Sequence, residues 1–446
     1  MTELEVGQRL PGAAPPQPPA GGYFVANYPP FQFWSGEHLG AARRAFAAPP
    51  EPGTPLGLYV HIPFCRKRCH FCYYKVSTDQ NAAEVQRYLD AVLAEARRVS
   101  ELAFVGGRPL RFVYFGGGTP SYLSTQQIAH LAEGLRAAFS WRDVHEVTFE
   151  AEPGTLSAKK LVAIRDMGVT RLSLGVESFA DHVLQANGRA HLSAQIHAAH
   201  RWARDAGLPQ VNIDLIVGML EQSERDWDAD VASTLALDPD SVTVYQMEIP
   251  FNTTIYRRMK QDGGLTTPIP DWPTKRRWLE RGFARLEERG YALTSAYTAV
   301  KDRQRVRFTY RDELWHGADM IGLGVASFGH VGDTHYQNVK DIEGYVSTVE
   351  SGELPLARAL ALTRDEALVR EVVLQMKLGH LDPAYFERKF GVDVLARFAE
   401  PLARHRDAGL LTIEGGEVRL TRDALLMVDA MLPAFYRPEH REAHAA

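Results

Sequence analysis

The sequence predicts an α/β fold: a partial (β/α)6 parallel barrel followed by a small C-terminal α+β module of winged-helix character. Between about Leu56 and Gln246, short β-rich runs alternate with helical periods six times, the pattern of a parallel sheet with crossover helices. Several of those runs are apolar on successive residues, as strands covered on both faces are. From about Thr363 the character changes to helical periods, then to AGLLTIEGGEVRLT, two short runs around a Gly-Gly turn.

Taken in order, residues 1–22 (MTELEVGQRLPGAAPPQPPAGG) are rich in Pro, Gly and Ala, carry no signal-peptide pattern and read as a disordered leader. Residues 23–55 begin with YFVANYPPFQFW, whose dense aromatics suit a segment that packs onto the domain, either as a surface clamp or as a lid over an active site. The barrel core, 56–360, opens with GLYVHI. Val85, Tyr88, Leu89, Val92, Ala96 and Val99 then recur at helical spacing. RFVYF runs into GGG, and Ser124 caps a helix with Ile128, Leu131 and Leu135 on one face. EVTFEAEP, TRLSLGVES, VNIDLIVGM and DSVTVYQM are further strands, with chemistry expected at their C-terminal ends. WHGADMIGLGVASFGHVGDTHYQN reads as loop and strand that return to this core, and 361–446 form the C-terminal module.

Composition narrows the function classes. The chain has 446 residues, 45% hydrophobic and 24% charged, with a net charge of -5. No basic run points to nucleic acid, and the mixed charge of Asp365 to Tyr436 assigns the winged module a packing or substrate-covering role. No apolar stretch is long enough for a membrane span, so a cytoplasmic, reducing location is expected.

The three cysteines all lie within eight positions, as Cys65-Arg-Lys-Arg-Cys69-His-Phe-Cys72. An odd count in a reducing setting argues for metal or redox chemistry over disulfides. C-x3-C-x2-C directly after a strand supplies three soft thiolate ligands. In a four-iron cubane they leave one iron open, which the amine and carboxylate of S-adenosylmethionine (SAM) could chelate. Zinc is the competing occupant and would need a fourth ligand, His61 or His70. Arg66, Lys67 and Arg68 put positive charge in the loop, which stabilises an electron-rich reduced cluster.

HIPFC…C…C, YFGGGTP, FEAEPGTL, RLSLGVESF, GRAH and NIDLIVGM occur in this order from Leu58 onward. In this the chain resembles the oxygen-independent coproporphyrinogen III oxidases and their relatives, the HemN-like branch of the radical SAM superfamily, as far as Tyr436. The resemblance implies a radical SAM barrel in which Cys65, Cys69 and Cys72 hold a [4Fe-4S] cluster. It implies that Gly116, Gly117, Gly118 and Thr119 receive the SAM amino group and backbone, that Glu150 contacts the first SAM, and that Tyr59 and Phe71 line its pocket. Glu177, Arg189 and Asp214 match a second-SAM site. The expected cofactors are therefore the cluster and two SAM molecules, with flavodoxin or ferredoxin as electron donor.

Two positions depart from the coproporphyrinogen oxidases. Tyr74 stands where they usually carry a further cysteine, and Glu177 where the GVQ triplet has Gln. Both turn the expectation toward C-methylation or cyclopropanation of an sp2 carbon using a second SAM. Porphyrinogen decarboxylation is the alternative, and a haem chaperone-like carrier the third. The small-molecule substrate is then an unknown sp2-carbon compound or a porphyrinogen.

Overall fold

The computed structural model describes residues 24–250, 252–261 and 269–441; the expected leader, 1–22, lies outside them. Six parallel strands follow one another across the sheet in chain order: β1 (Leu56–Ile62), β2 (Leu110–Gly117), β3 (Glu146–Ala151), β4 (Arg171–Glu177), β5 (Gln210–Val217) and β6 (Ser241–Gln246). β7 (Ala292–Leu293) and β8 (Thr298–Val300) extend the β6 edge antiparallel. The sheet does not close. The returning segment is fuller than one strand: β9 (Asp319–Leu323) pairs parallel with β1, and β10 (Phe328–Val331), β11 (Thr334–Asn338) and β12 (Leu356–Ala361) continue it antiparallel. Among the described residues no helix is long and apolar enough to cross a membrane.

The helices follow from their sequence signals. Asn81 and Glu84 form a capping box that starts the helix Ala82–Ser100, whose buried stripe is Val85, Tyr88, Leu89, Val92, Ala96 and Val99. Ser124 and Gln127 do the same for Thr125–Ala138, which buries Ile128, Leu131 and Leu135.

The strands alternate with period two. The face toward these helices is apolar: Leu172, Leu174 and Val176 of β4 and Ile213 and Leu215 of β5 are each at most 1% exposed. The opposite face is polar, with Thr148 and Glu150 on β3, Arg171, Ser173 and Glu177 on β4, Asn212 and Asp214 on β5, and Ser241 and Thr243 on β6. Register aligns these residues into rows: Glu150 pairs with Ser173, Ser173 with Asn212, and Asp214 with Thr243.

The C-terminal module starts from the helix Arg364–Met376 and adds a three-stranded antiparallel sheet, β13 (His380–Leu381), β14 (Leu411–Glu414) and β15 (Glu417–Leu420). Gly415 and Gly416, at φ 60° and 87°, make the two-residue hairpin between the last two strands. The aromatic N-terminal segment joins module to sheet. Tyr28 is fully buried with its hydroxyl 2.7 Å from His440 Nδ1, Trp34 stacks on His335 at 4.8 Å, and Ser35 pairs with Ala359 of β12. It is thus a clamp along most of its length.

Glu95, inside the first long helix, ties the returning strands to the barrel. Its carboxylate accepts from Gly324 N (2.9 Å), Asn338 Nδ2 (2.7 Å) and Tyr345 Oη (2.5 Å). Glu95→Ala leaves three buried donors without an acceptor and should cost roughly 2–4 kcal/mol of unfolding free energy. Urea titration of the variant checks this; a loss below about 0.5 kcal/mol, the level of an ordinary surface change, would contradict it.

Candidate active site at the three-cysteine loop

β1 ends at Ile62 and the chain enters the cysteine loop. The two ends of the loop are pinned together by Cys65 N→Ser77 O (2.9 Å) and Ser77 N→Pro63 O (2.8 Å). Within it, Cys72 N donates to Cys69 O (3.3 Å) and Arg68 Nη2 to Cys72 O (3.1 Å). Burial pushes the Cys65 thiol up to about 11 and the Cys72 thiol up to about 12, and Cys69 beside them adds to both. Thiols crowded in this way ionise together only against strong positive charge, which an iron-sulfur cluster supplies.

Among the described residues, neither histidine proposed as a zinc ligand gathers with the cysteines into a group that could hold one ion. His70 Nδ1 bonds Ala186 O at 2.9 Å, and His61 Nδ1 bonds the Tyr59 hydroxyl at 3.2 Å. Among the described residues no three His, Cys, Asp or Glu side chains converge tightly enough for a single ion. A cubane spreads its thiolates over separate irons, so this donor set fits a cluster better than zinc.

β2 delivers the glycine turn against the loop. Gly118 N donates to Ile62 O at 2.7 Å, and Thr119 Oγ1 lies 3.2 Å from Cys65 Sγ. Gly117 sits at φ 112°, where a Cβ would meet the His61 ring at 2.6 Å, so no larger residue fits. Next to it, Glu150 at the end of β3 accepts from Tyr114 Oη (2.6 Å) and Gly117 N (3.2 Å). Burial nevertheless pushes its carboxyl up to about 7.

Arg189 reaches in from the loop before the helix Ser193–Asp205. Its Nη1 donates to Cys69 Sγ (3.3 Å) and its Nη2 to Gly175 O (2.5 Å), while Nε is buried without a partner among the described residues. Glu177 Oε1 stands 3.6 Å from Nη2. A bulge in β4 between Gly175 and Glu177 holds Glu177 at φ 66° and turns its side chain to this side. Asp214 accepts from Ser173 Oγ (2.7 Å) and Asn212 Nδ2 (2.8 Å), so a carboxylate in an apolar strand is not left unpaired.

Cys65, Cys69, Cys72, Phe71, Gly117, Gly118, Thr119, Glu150, Glu177, Arg189 and Asp214 all line one cavity of about 380 Å³. Tyr59 and Gly116, expected at the same site, are not among its lining residues. Tyr59 stacks on Tyr114 with its hydroxyl turned to His61, and Gly116 backs onto Tyr114 and Glu150. They support the wall from behind.

Of the remaining wall, sequence marked Tyr74 and the aromatic segment that contains Phe24, but not the other residues. Tyr73 and Tyr74, each 45% exposed, face the cavity with rings 4.5 Å apart. Tyr245, Tyr297, Phe308 and Phe24 of the clamp continue an aromatic lining. Phe24 thus gives the clamp one lid-like contact, with its backbone N donating to Glu248 Oε1 at 2.8 Å. Arg171 is 2% exposed, its guanidinium 4.4 Å from the Phe308 ring centre. Asp429 of the C-terminal module lies 3.1 Å from Lys377 and also accepts from Tyr297. Glu152 accepts from His191 Nδ1 at 2.6 Å behind the cysteine loop. The available signal was the polar alternation in β3 to β6, which puts Arg171 and Ser173 on the same face as Glu177.

Comparison with known proteins agrees with this layout. The radical SAM superfamily is matched by residues 59–232 and the HemN C-terminal domain by residues 362–427. Oxygen-independent coproporphyrinogen III oxidase of Escherichia coli (strain K12) is 29% identical over 395 residues, 84% of this chain and 84% of that protein. Heme chaperone HemW of Bacillus subtilis (strain 168) is 28% identical over 382 residues, 84% of this chain and 98% of that protein. The solved structure of the E. coli coproporphyrinogen III oxidase (HemN), described as a radical SAM enzyme, superposes with a TM-score of 0.80 at 26% identity, covering 92% of this chain and 96% of that one.

The buried carboxyls give a pH signature. Glu150 and Glu177 are both pushed up to about 7 by burial, from about 4.3 in an unfolded chain. A raised folded value stabilises fully at low pH and loses that contribution as pH rises through it. The melting temperature of the ligand-free protein should therefore fall between about pH 4.5 and pH 7, level off above that, and fall less steeply in Glu177→Gln. Parallel melting profiles for the two proteins would count against this assignment.

Proposed function

This chain belongs to the radical SAM superfamily, in its HemN-like family, and we propose that it cleaves SAM reductively and directs the resulting radical chemistry at a small molecule held in the tyrosine-lined cavity. The observation that carries this reading is the meeting of three thiols, the glycine turn, Glu150 and the Glu177–Arg189 pair on one cavity wall. When bound, a reduced [4Fe-4S] cluster with SAM on its open iron supplies a 5′-deoxyadenosyl radical that abstracts hydrogen.

The chain's own residues do the rest. The backbone of Gly117 to Thr119 receives the methionine amino group, and Glu150 accepts hydrogen bonds from the ribose or ammonium. Arg189 pairs with a SAM carboxylate, and Glu177 and Asp214 complete a second-SAM site beside it. The aromatic wall presents flat faces to the substrate and excludes water. Flavodoxin or ferredoxin is the electron donor.

For the fate of the substrate we favour C-methylation or cyclopropanation of an sp2 carbon. Tyr74 takes the place of the additional cysteine. The wall away from the cysteine loop sets Asp214, Glu248 and Asp429 against Arg171 and Arg276, a poor match for a substrate bearing several carboxylates. The second reading is oxidative decarboxylation of a porphyrinogen, which the names of the E. coli and Helicobacter pylori relatives support. A haem carrier is the third, supported by the HemW similarity.

Anaerobically reconstituted protein with SAM and titanium(III) citrate should form 5′-deoxyadenosine, and Cys69→Ala should form none. If the wild-type protein forms none and instead binds haem stoichiometrically, the carrier reading replaces this one. With coproporphyrinogen III added, no vinyl product is expected; its appearance would establish decarboxylation instead.

A further inference from the structure

An electron for the cysteine loop has to arrive across the surface beside the cavity that SAM and substrate would fill. Arg66 and Lys67, between Cys65 and Cys69, are exposed where the loop meets the cavity, and the partly covered Cys69 and Cys72 line that cavity. Lys75 is exposed just past the loop. The helix Thr254–Gln261 packs beside it: Ile255 N donates to His70 O at 3.1 Å, and Asn252 Nδ2, just before the helix, donates to Tyr73 O at 2.8 Å. That helix adds three exposed cations, Arg257, Arg258 and Lys260.

Several cations elsewhere on the surface are neutralised by carboxylates. Arg87 sits between Glu343 and Glu350, Arg281 between Glu224 and Asp228, and Arg422 between Glu280 and Glu287. Among the described residues no carboxylate stands within ion-pair distance of Arg66, Lys67, Lys75, Arg257, Arg258 or Lys260. Arg66 spends its guanidinium on Gly154 O (2.8 Å), and Lys260 lies over the Tyr256 ring at 5.6 Å. In a chain of net charge -5, these six cations form a local concentration of positive charge. Left unpaired, such charge projects a field that steers an oppositely charged partner and sets its orientation.

We propose that the basic face formed by the exposed residues of the cysteine loop, Lys75 and the helix Thr254–Gln261 is the docking surface for an acidic one-electron carrier protein. The proposal rests on the reading of the cysteines as cluster ligands. One electron passes from the reduced carrier to the oxidised cluster; the carrier is oxidised by one electron and no bond forms or breaks. Docking here brings the carrier's redox centre beside the cysteine loop, to which the helix is hydrogen-bonded at His70 and Tyr73. The same charges favour the reduced cluster.

The test compares reductants on the reconstituted full chain, following cluster bleaching by stopped flow and the reduced signal by electron paramagnetic resonance. Reduced flavodoxin serves as the acidic protein donor and titanium(III) citrate as the small one. Arg257→Glu/Arg258→Glu, which leaves the loop itself intact, should slow reduction by flavodoxin about ten-fold or more at low salt. The difference should vanish near 0.5 M salt, where screening is nearly complete. Reduction by titanium(III) citrate and iron content should match the wild type, and Arg404→Glu on the C-terminal module should behave as wild type throughout. Equal flavodoxin rates for the double variant and the wild type at low salt would overturn the docking surface. So would salt-sensitive binding of single-stranded RNA to this face in place of flavodoxin. Failure to assemble any iron-sulfur cluster would instead overturn the underlying reading of the cysteines.

Discussion

Three neighbouring thiols cannot share a loop as thiolates without a cation between them. Cys65 and Cys72 are pushed up by burial, and each neighbour in the trio raises the cost of ionising the next. The surroundings partly offset that cost. Arg189 donates to Cys69, the Thr119 hydroxyl lies against Cys65, and the loop itself carries Arg66, Lys67 and Arg68. The rest of the site is arranged around this need, from the glycine turn that lets β2 press against the loop to the bulge that aims Glu177 at Arg189.

The second constraint is the sheet's two-faced character. One face of β3 to β6 is apolar and carries the fold's core; the other holds carboxylates, hydroxyls and one buried guanidinium in registered rows. Burying such a face costs free energy, and the hydrogen bonds from Ser173 and Asn212 to Asp214 and from Tyr114 to Glu150 recover only part of it. Glu150 and Glu177 are left with weakened acidity, the common condition of groups held ready for a charged ligand.

The parallel sheet was legible because it depends on short-range pattern: apolar runs, helical stripes and caps such as Ser124 can be read from neighbours in sequence. The cysteine loop and most of the motif residues were legible because their chemistry is specific to spacing. What escaped depends on long-range placement. β10 to β12 are short edge strands whose mixed sequence gains meaning only against β9 and β1. The aromatic wall gathers residues from Phe24 to Phe308, which no local window links. Tyr59 and Gly116 belong to the right motifs but stand behind the cavity wall, because alternation along a strand sends side chains to layers that a motif does not distinguish. The N-terminal segment divides the same way: its aromatics signalled packing, but only the fold shows that Phe24 reaches the cavity while Tyr28 and Trp34 clamp the module and the sheet edge.

The central claim is that Cys65, Cys69 and Cys72 hold a cluster with one iron open to the cavity. The most direct measurement is the electron paramagnetic resonance spectrum of the reduced, reconstituted protein before and after SAM is added, alongside metal analysis. The account predicts close to four irons per chain, a reduced [4Fe-4S] signal, and a clear change in that signal with SAM. One zinc per chain with no iron-sulfur signal, or a cluster signal that SAM leaves unchanged, would contradict it.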